Sequence, residues 1–275
     1  MKKPILILVC VLGTLLVGAV VLGVLNGLLG GGSWSIGWTD YRYEDGDAYT
    51  VGGGTVPYRG VKQIDLDWLE GEVEILICQD QYISLSEEWE ENLAESSYLR
   101  WAVSGNGETL TVKFRKSEWF FSASLPDKHL TLRIPASMLG ELREVKIKTR
   151  NVTLSIDGLC VDQLTLEGVN GDVSVKNATL GALGVDWVNG SAFFSLCSTP
   201  SQLQIDKVNG DVTLELPQDA AFDLEWERVN GSLTTPFSMT QQGDRYSCGG
   251  GGAAFAIDTV NGNLAILVRE ETGGN

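Results

Sequence analysis

Residues 164–175 read LTLEGVNGDVSV, and four further stretches repeat the pattern: LGVDWVNGSAFF at 183–194, LQIDKVNGDVTL at 203–214, LEWERVNGSLTT at 224–235 and FAIDTVNGNLAI at 255–266. The tripeptide Val-Asn-Gly begins at Val169, Val188, Val208, Val229 and Val260, with spacings of 19, 20, 21 and 31. A near-constant period of this size marks a repeat architecture. Each unit is an apolar run alternating with period two, a turn, and a second alternating run, which reads as strand, turn, strand. Weaker copies extend the array backwards: IKTRNVTLSI around Asn151 falls in register, and LDWLEGEVEIL from Leu66 carries Glu70-Gly71 at the turn. The longest spacing reflects an insertion that holds Cys248 and the run Gly249 to Gly252.

The turn residues are Asn170-Gly171, Asn189-Gly190, Asn209-Gly210, Asn230-Gly231 and Asn261-Gly262. Asn-Gly favours a type I′ hairpin, which would make the array an antiparallel β-meander. The phase of the apolar residues favours the other solution. Leu203 and Ile205 share one face, yet Val208 lies three residues beyond Ile205 and falls out of phase, as its counterparts do in every copy. A chain that bends there swings the valine inward, as at the corner of a β-solenoid coil. The fold expected is therefore all-β, a β-solenoid-like array of short strands, with the antiparallel meander as the alternative.

One repeat offers about five inward aliphatic side chains worth about 1.5–3 kcal/mol each. Ordering its roughly 20 residues costs about 1–2 kcal/mol apiece, so copies must share a core. Residues 79–135 break the period: SLSEEWEENLAESSYLRWAV is either a short helix from near Ser86 or two strands joined by an acidic turn, while TLTVKF and HLTLRIP alternate as strands.

Ahead of the β region, Ile5 to Leu25 is 21 residues without a charge, roughly 32 Å as a helix and long enough to cross a bilayer. The run exceeds a signal-peptide core and no A-x-A site follows, so an uncleaved anchor is expected. Lys2 and Lys3 place the short N-terminus in the cytoplasm and the rest outside. Cys10 is a small apolar residue of the span. The boundaries are a cytoplasmic N-terminus at 1–4, an anchor at 5–29, a linker at 30–60, the repeat domain at 61–271 and a tail at 272–275. The linker mixes glycine with Trp34, Trp38, Tyr41, Tyr43, Tyr49 and Tyr58, residues suited to the headgroup layer. Its Glu44, Asp45 and Asp47 form an acidic turn that lacks the other ligands of a calcium loop.

The chain of 275 residues carries 36 acidic and 20 basic residues, a net charge of −16, which argues against nucleic-acid binding. With one histidine, His129, no two-histidine centre can be built within the chain. Cys78, Cys160, Cys197 and Cys248 contain no C-x-x-C, and either disulfides or free thiols fit their spacing. Asp172 and Asp211 follow the turn glycine in two copies but Ser191, Ser232 and Asn263 replace them elsewhere, the exchange expected of turn-forming residues. Of the sequons at Asn151, Asn177, Asn189 and Asn230, those at Asn189 and Asn230 are by-products of the Asn-Gly-Ser turns. Trp68 and Trp187 precede the turn where other copies have Gly168, Lys207, Arg228 and Thr259. Facing outward they would form a platform for a sugar or peptide, and facing inward they would pack beneath the linker or the insertion.

With five copies, the TLTVKF and LTLRIP strands and an N-terminal apolar run, the sequence resembles bacterial envelope proteins of the putative-adhesin family, a domain of unknown function with VNG-D-[VIL] repeats. The resemblance covers about residues 61–269 and implies an extracytoplasmic β-repeat module, tied in some members to adhesion or envelope-stress sensing. It brings no catalytic residues. Together these readings predict a non-enzymatic, membrane-anchored binding or adhesion module at the bacterial cell surface, without cofactor or metal. Its expected partners are an envelope polymer, a cationic peptide or a protein. The alternative is a structural or sensory envelope component that acts through self-association or a membrane neighbour.

Overall fold

A computed structural model describes Tyr41, Tyr43 and residues 48–57, 59–90, 92–117 and 125–270. The expected anchor at 5–29, with Lys2, Lys3 and Cys10, lies outside the described residues, as do Trp34, Trp38, Glu44, Asp45, Asp47, Tyr58 and the tail at 272–275. Among the described residues no helix is long and apolar enough to cross a membrane. Tyr41, Tyr43 and Ser117 belong to a compact unit of their own, in which the Tyr43 backbone N–H donates to Ser117 Oγ at 3.1 Å. The second unit, 46–116 with 125–275, holds the repeats.

The array is a solenoid. Its strands pair in parallel and in register, which a meander cannot do. One ladder carries the strand halves that lead into each corner. It runs from Gln63–Cys78 through Glu144–Asp157, Cys160–Asn170, Val173–Asn189 and Gln202–Asn209 to Ala253–Asn261 and Phe222–Asn230. A second ladder carries the halves that leave the corners, from Lys128–Pro135 through Ala192–Leu196 and Val212–Leu216 to Leu264–Val268 and Leu233–Thr234. Side chains from both ladders meet in the core, where Leu164, Leu183, Leu203 and Phe255 occupy one stacked position and Val175, Phe194, Leu214 and Ile266 another.

The backbone explains why Asn-Gly makes a corner and not a hairpin. A type I′ turn needs positive φ at both central residues. Here Gly171, Gly190, Gly210 and Gly231 have positive φ, whereas Asn177 is the sole non-glycine with positive φ among the described residues. The turn asparagines therefore keep ordinary backbone angles and the chain rounds a broad bend.

One expectation about the corner is overturned. The valines do not swing inward: Val169 and Val229 are 42% and 48% exposed. Of the two orientations open to Trp68 and Trp187, the inward one holds, for both are fully buried. The cause is common to both, because the alternation runs unbroken through Leu203, Ile205 and Lys207, all buried. At Trp187, Lys207 and Thr259 the residue before the valine thus points into the core and the valine points out, whereas Arg228 in the outer coil is exposed. That inward column sets Gly168 on one side of Trp187 and Lys207 on the other. A Cβ on Gly168 would sit 2.4 Å from the Trp187 ring, so the glycine makes room for the indole. Trp187 Nε1 donates to the carbonyls of Gly171 at 2.9 Å and Asn189 at 3.1 Å, and Lys207 Nζ donates to the Asn209 carbonyl at 2.8 Å. Burial lowers the Lys207 pKa, opposed by Asp172 and Asp211.

The coils do not stack in chain order. The last coil, Ala253–Asn261 with Leu264–Val268, pairs on one side with Gln202–Asn209 and Val212–Leu216 and on the other with Phe222–Asn230 and Leu233–Thr234. The chain skips a slot after residue 216, builds an outer coil, folds the insertion into a hairpin of Met239–Gln242 and Arg245–Cys248, and returns to fill the gap. The hairpin pairs antiparallel with the far edge of Phe222–Asn230, which covers an otherwise open strand.

At the other end, the acidic stretch forms strand Tyr82–Trp89, a single 3-10 turn at Glu95–Ser97 and strand Arg100–Val103, not a helix from Ser86. Antiparallel pairings of these strands with Lys128–Pro135 and Thr109–Lys113 close the array. Beneath them Lys128 is buried against the faces of Trp68 and Phe114, with Nζ 2.8 Å from Glu87 and donating to the carbonyls of Ser97 and Phe114. Burial brings its pKa down to about 8 despite Glu87.

Candidate functional site

In-register stacking turns each sequence position into a column along the array. At the corner the asparagines form an amide ladder. Asn170 Nδ2 donates to Asn151 Oδ1 at 2.7 Å, Asn189 to Asn170 at 2.8 Å, Asn209 to Asn189 at 2.8 Å, Asn261 to Asn209 at 3.0 Å and Asn230 to Asn261 at 2.8 Å. These amides are consumed by one another, so the predicted turn residues hold the scaffold. The following residues act likewise: Asp172 Oδ1 accepts the Ser191 N–H at 2.7 Å, and Asp211 Oδ1 accepts the Asn263 N–H at 2.8 Å.

The outward columns carry the chemistry. Two residues before each valine stands an acid, and register aligns Glu167 with Asp186, Asp186 with Asp206, Asp206 with Asp258, and Asp258 with Glu227. Neighbouring strands lie about 4.8 Å apart, so five carboxylates follow one another on adjacent strands. At the N-terminal end the column is neutralised: Lys113 pairs with Asp67 at 3.1 Å and Lys148 with Glu167 at 2.8 Å. From Asp186 onward no lysine or arginine among the described residues lies within ion-pair distance of Asp186, Asp206, Asp258 or Glu227. Burial, followed by the Asp206 and Glu227 carboxylates, pushes Asp258 up to about 6, and burial with Asp206 and Glu167 raises Asp186. Beside the acids runs the column of Val169, Val188, Val208, Val260 and Val229, half-buried or exposed. A charged ridge therefore lies next to an apolar one along the same corner.

The total of acidic residues does not by itself single out this column. Its signal was present as the Glu or Asp at the fourth place of LTLE, LGVD, LQID, LEWE and FAID. The two tryptophans offered as ligand contacts are withdrawn into the core. Among the described residues no cluster of three or more His, Cys, Asp or Glu has metal-binding geometry, and Cys78, Cys160, Cys197 and Cys248 are free thiols.

Residues 140–266 match the family model of Toastrack DUF4097. A solved structure of a putative cell adhesion protein from Clostridium sporogenes is similar with a TM-score of 0.50 at 12% identity, covering 81% of this chain and all of the other. A putative adhesin from Bacteroides fragilis matches with a TM-score of 0.39 at 13% identity, covering 81% of this chain and 97% of the other. No curated protein matches the chain.

Proposed function

We propose, on the premise that residues 140–266 belong to the Toastrack family of adhesin-like domains of unknown function, that this protein is a non-enzymatic binding module displayed outside the bacterial membrane. The observation that carries the reading is the carboxylate column from Asp186 to Glu227, which has no cationic partner among the described residues and borders the valine ridge. Such a surface repeats one contact at each strand step. Its natural ligand is a cationic peptide, protein segment or envelope polymer that engages several steps at once, so that affinity comes from multivalency. The apolar run Ile5–Leu25 behind Lys2 and Lys3 serves as a single anchor with the array on the extracytoplasmic side.

The test is binding of the full chain, in micelles, to a fluorescent oligolysine peptide across a salt titration. Attraction that acts over a screening length of about 8 Å at physiological salt weakens steadily as salt is added. Affinity that stays constant from low to high salt would remove the proposal. Oligomers that assemble without the peptide and fail to bind it would favour the self-association reading.

A further inference from the structure

The intercalated last coil builds a groove that the carboxylate column does not use. Along strand Ala253–Asn261 the outward positions preceding Asp258 are alanines, Ala254 and Ala256, both exposed. Register places Gln202 and Gln204 beside them on one strand and Asp223 and Glu225 on the other. Two methyl groups thus lie between ridges of long polar side chains that stand two strand spacings, roughly 10 Å, apart. The hairpin adds Thr240, Gln242 and Arg245 as a lip, and the resulting groove encloses about 510 Å³. That volume falls within the ~300–1,000 Å³ typical of small-ligand sites. Stacking in chain order would have set Phe222–Asn230 directly against Gln202–Asn209 and left no such floor.

The chemistry of the lining narrows the ligand. The floor strand is hydrogen-bonded on both sides, so a peptide cannot add itself through backbone pairing. Charge is largely used internally, since Arg245 Nη2 lies 3.4 Å from Glu225 Oε2 and Asp223 Oδ2 accepts the Gly252 N–H at 3.2 Å. Around the small apolar floor stand the amides of Gln202, Gln204 and Gln242 and the hydroxyls of Thr240 and Ser247, with Gln204 Nε2 donating to Asp206 Oδ2 at 3.0 Å, and the paired carboxylates and guanidinium keep further lone pairs and N–H groups. These groups donate and accept hydrogen bonds in pairs, as vicinal hydroxyls require.

We infer that this groove is a saccharide-binding site, taking a short uncharged glycan segment with a ring C–H face over Ala254 and Ala256 and its hydroxyls against Gln202, Gln204, Glu225 and Arg245. The inference rests on the reading of the domain as a binding module but uses a different surface and a different force. A saccharide held this way is insensitive to salt, whereas the oligolysine peptide is not.

The experiment is calorimetry on the full chain in a non-glycosidic detergent. The probes are trimers of N-acetylglucosamine, glucose and mannose, with spermine as a cationic comparison, at about 0.05 and 0.5 M salt. At least one trimer should bind at millimolar or lower concentration with less than about a twofold change between the two salts. Ala256→Trp, which fills the groove from an exposed position, should abolish that binding, and Gln204→Ala should weaken it about fivefold. Oligolysine affinity should be unchanged in Ala256→Trp, which also verifies that the variant is folded. Binding of none of the trimers, binding of spermine alone, or trimer binding that survives Ala256→Trp would overturn the site while leaving the cationic-ligand proposal to its own test.

Discussion

Replacing Gly190 with alanine probes the stacking of the coils with a built-in reference, Gly250. Both glycines have positive φ, 121° and 89°, where alanine is strained by about 1–2 kcal/mol. They differ in what a new methyl meets. At Gly250 nothing lies within 4 Å, while at Gly190 the methyl would stand 2.0 Å from the carbonyl oxygen and 2.6 Å from the carbonyl carbon of Gly171 in the preceding coil. Backbone cannot rotate away, so the two coils must separate at the corner. Separation strains the Gly171 N–H to Asn189 carbonyl bond of 3.1 Å and the Asn189 to Asn170 amide bond of 2.8 Å, each worth about 1 kcal/mol. Gly190→Ala is therefore expected to cost about 3–4 kcal/mol in total and Gly250→Ala about 1–2 kcal/mol. At about 2–4 °C per kcal/mol for a domain of this size, calorimetry should find a Tm shift of about 6–16 °C for Gly190→Ala and about 2–8 °C for Gly250→Ala, the first about two to three times the second. Equal shifts would mean that Gly171 and Gly190 are not stacked as described.

Further outcomes follow from the inward and outward columns. Trp187→Ala removes a fully buried ring and should cost about 3–5 kcal/mol in denaturant titrations. Val229→Ala, at a residue 48% exposed, should stay within about 0.5 kcal/mol. Because the Asp258 carboxyl titrates near 6 when folded against 3.8 ordinarily, its favourable contribution is present below pH ~4 and is lost as pH rises through about 6. Screening at this exposed site limits the loss to about 1 kcal/mol, so Tm should fall by a few degrees from pH 5 to 7 and fall less in Asp258→Asn. Thiol labelling of the native protein should modify exposed Cys197 rapidly and buried Cys248 only on unfolding, its thiol also raised in pKa by burial. Rapid labelling of Cys248 would contradict its placement against the Ala220 carbonyl.

The repeat period and its strand-corner-strand rhythm were legible because alternating apolar residues report burial directly, as Leu203 and Ile205 do. The valine was misread because residue type was weighed above phase. Position 207 continues the inward alternation even though lysine fills it, and the valine after it is a half-buried residue of a stacked outward column. The order of the coils could not be read at all. Every copy presents the same asparagine and glycine, so Asn209 can stack on Asn230 or on Asn261 with the same amide geometry. The spacing of 31 announced an insertion without revealing that the chain skips a slot and returns. The groove over Ala254 and Ala256 depends on that order and was therefore hidden, whereas the acidic column was readable from the fourth residue of each copy.

The carboxylate column as a binding surface is tested most directly by matched neutralisation. One variant combines Asp186→Asn, Asp206→Asn, Asp258→Asn and Glu227→Gln. Its control removes the same charge from exposed acids elsewhere, Asp80→Asn, Glu88→Gln, Glu141→Gln and Asp219→Asn. Oligolysine affinity at physiological salt should drop about tenfold or more in the column variant, with most of its salt dependence lost, and change by less than about threefold in the control. Equal losses in the two variants would show that net charge alone attracts the peptide and would contradict the account.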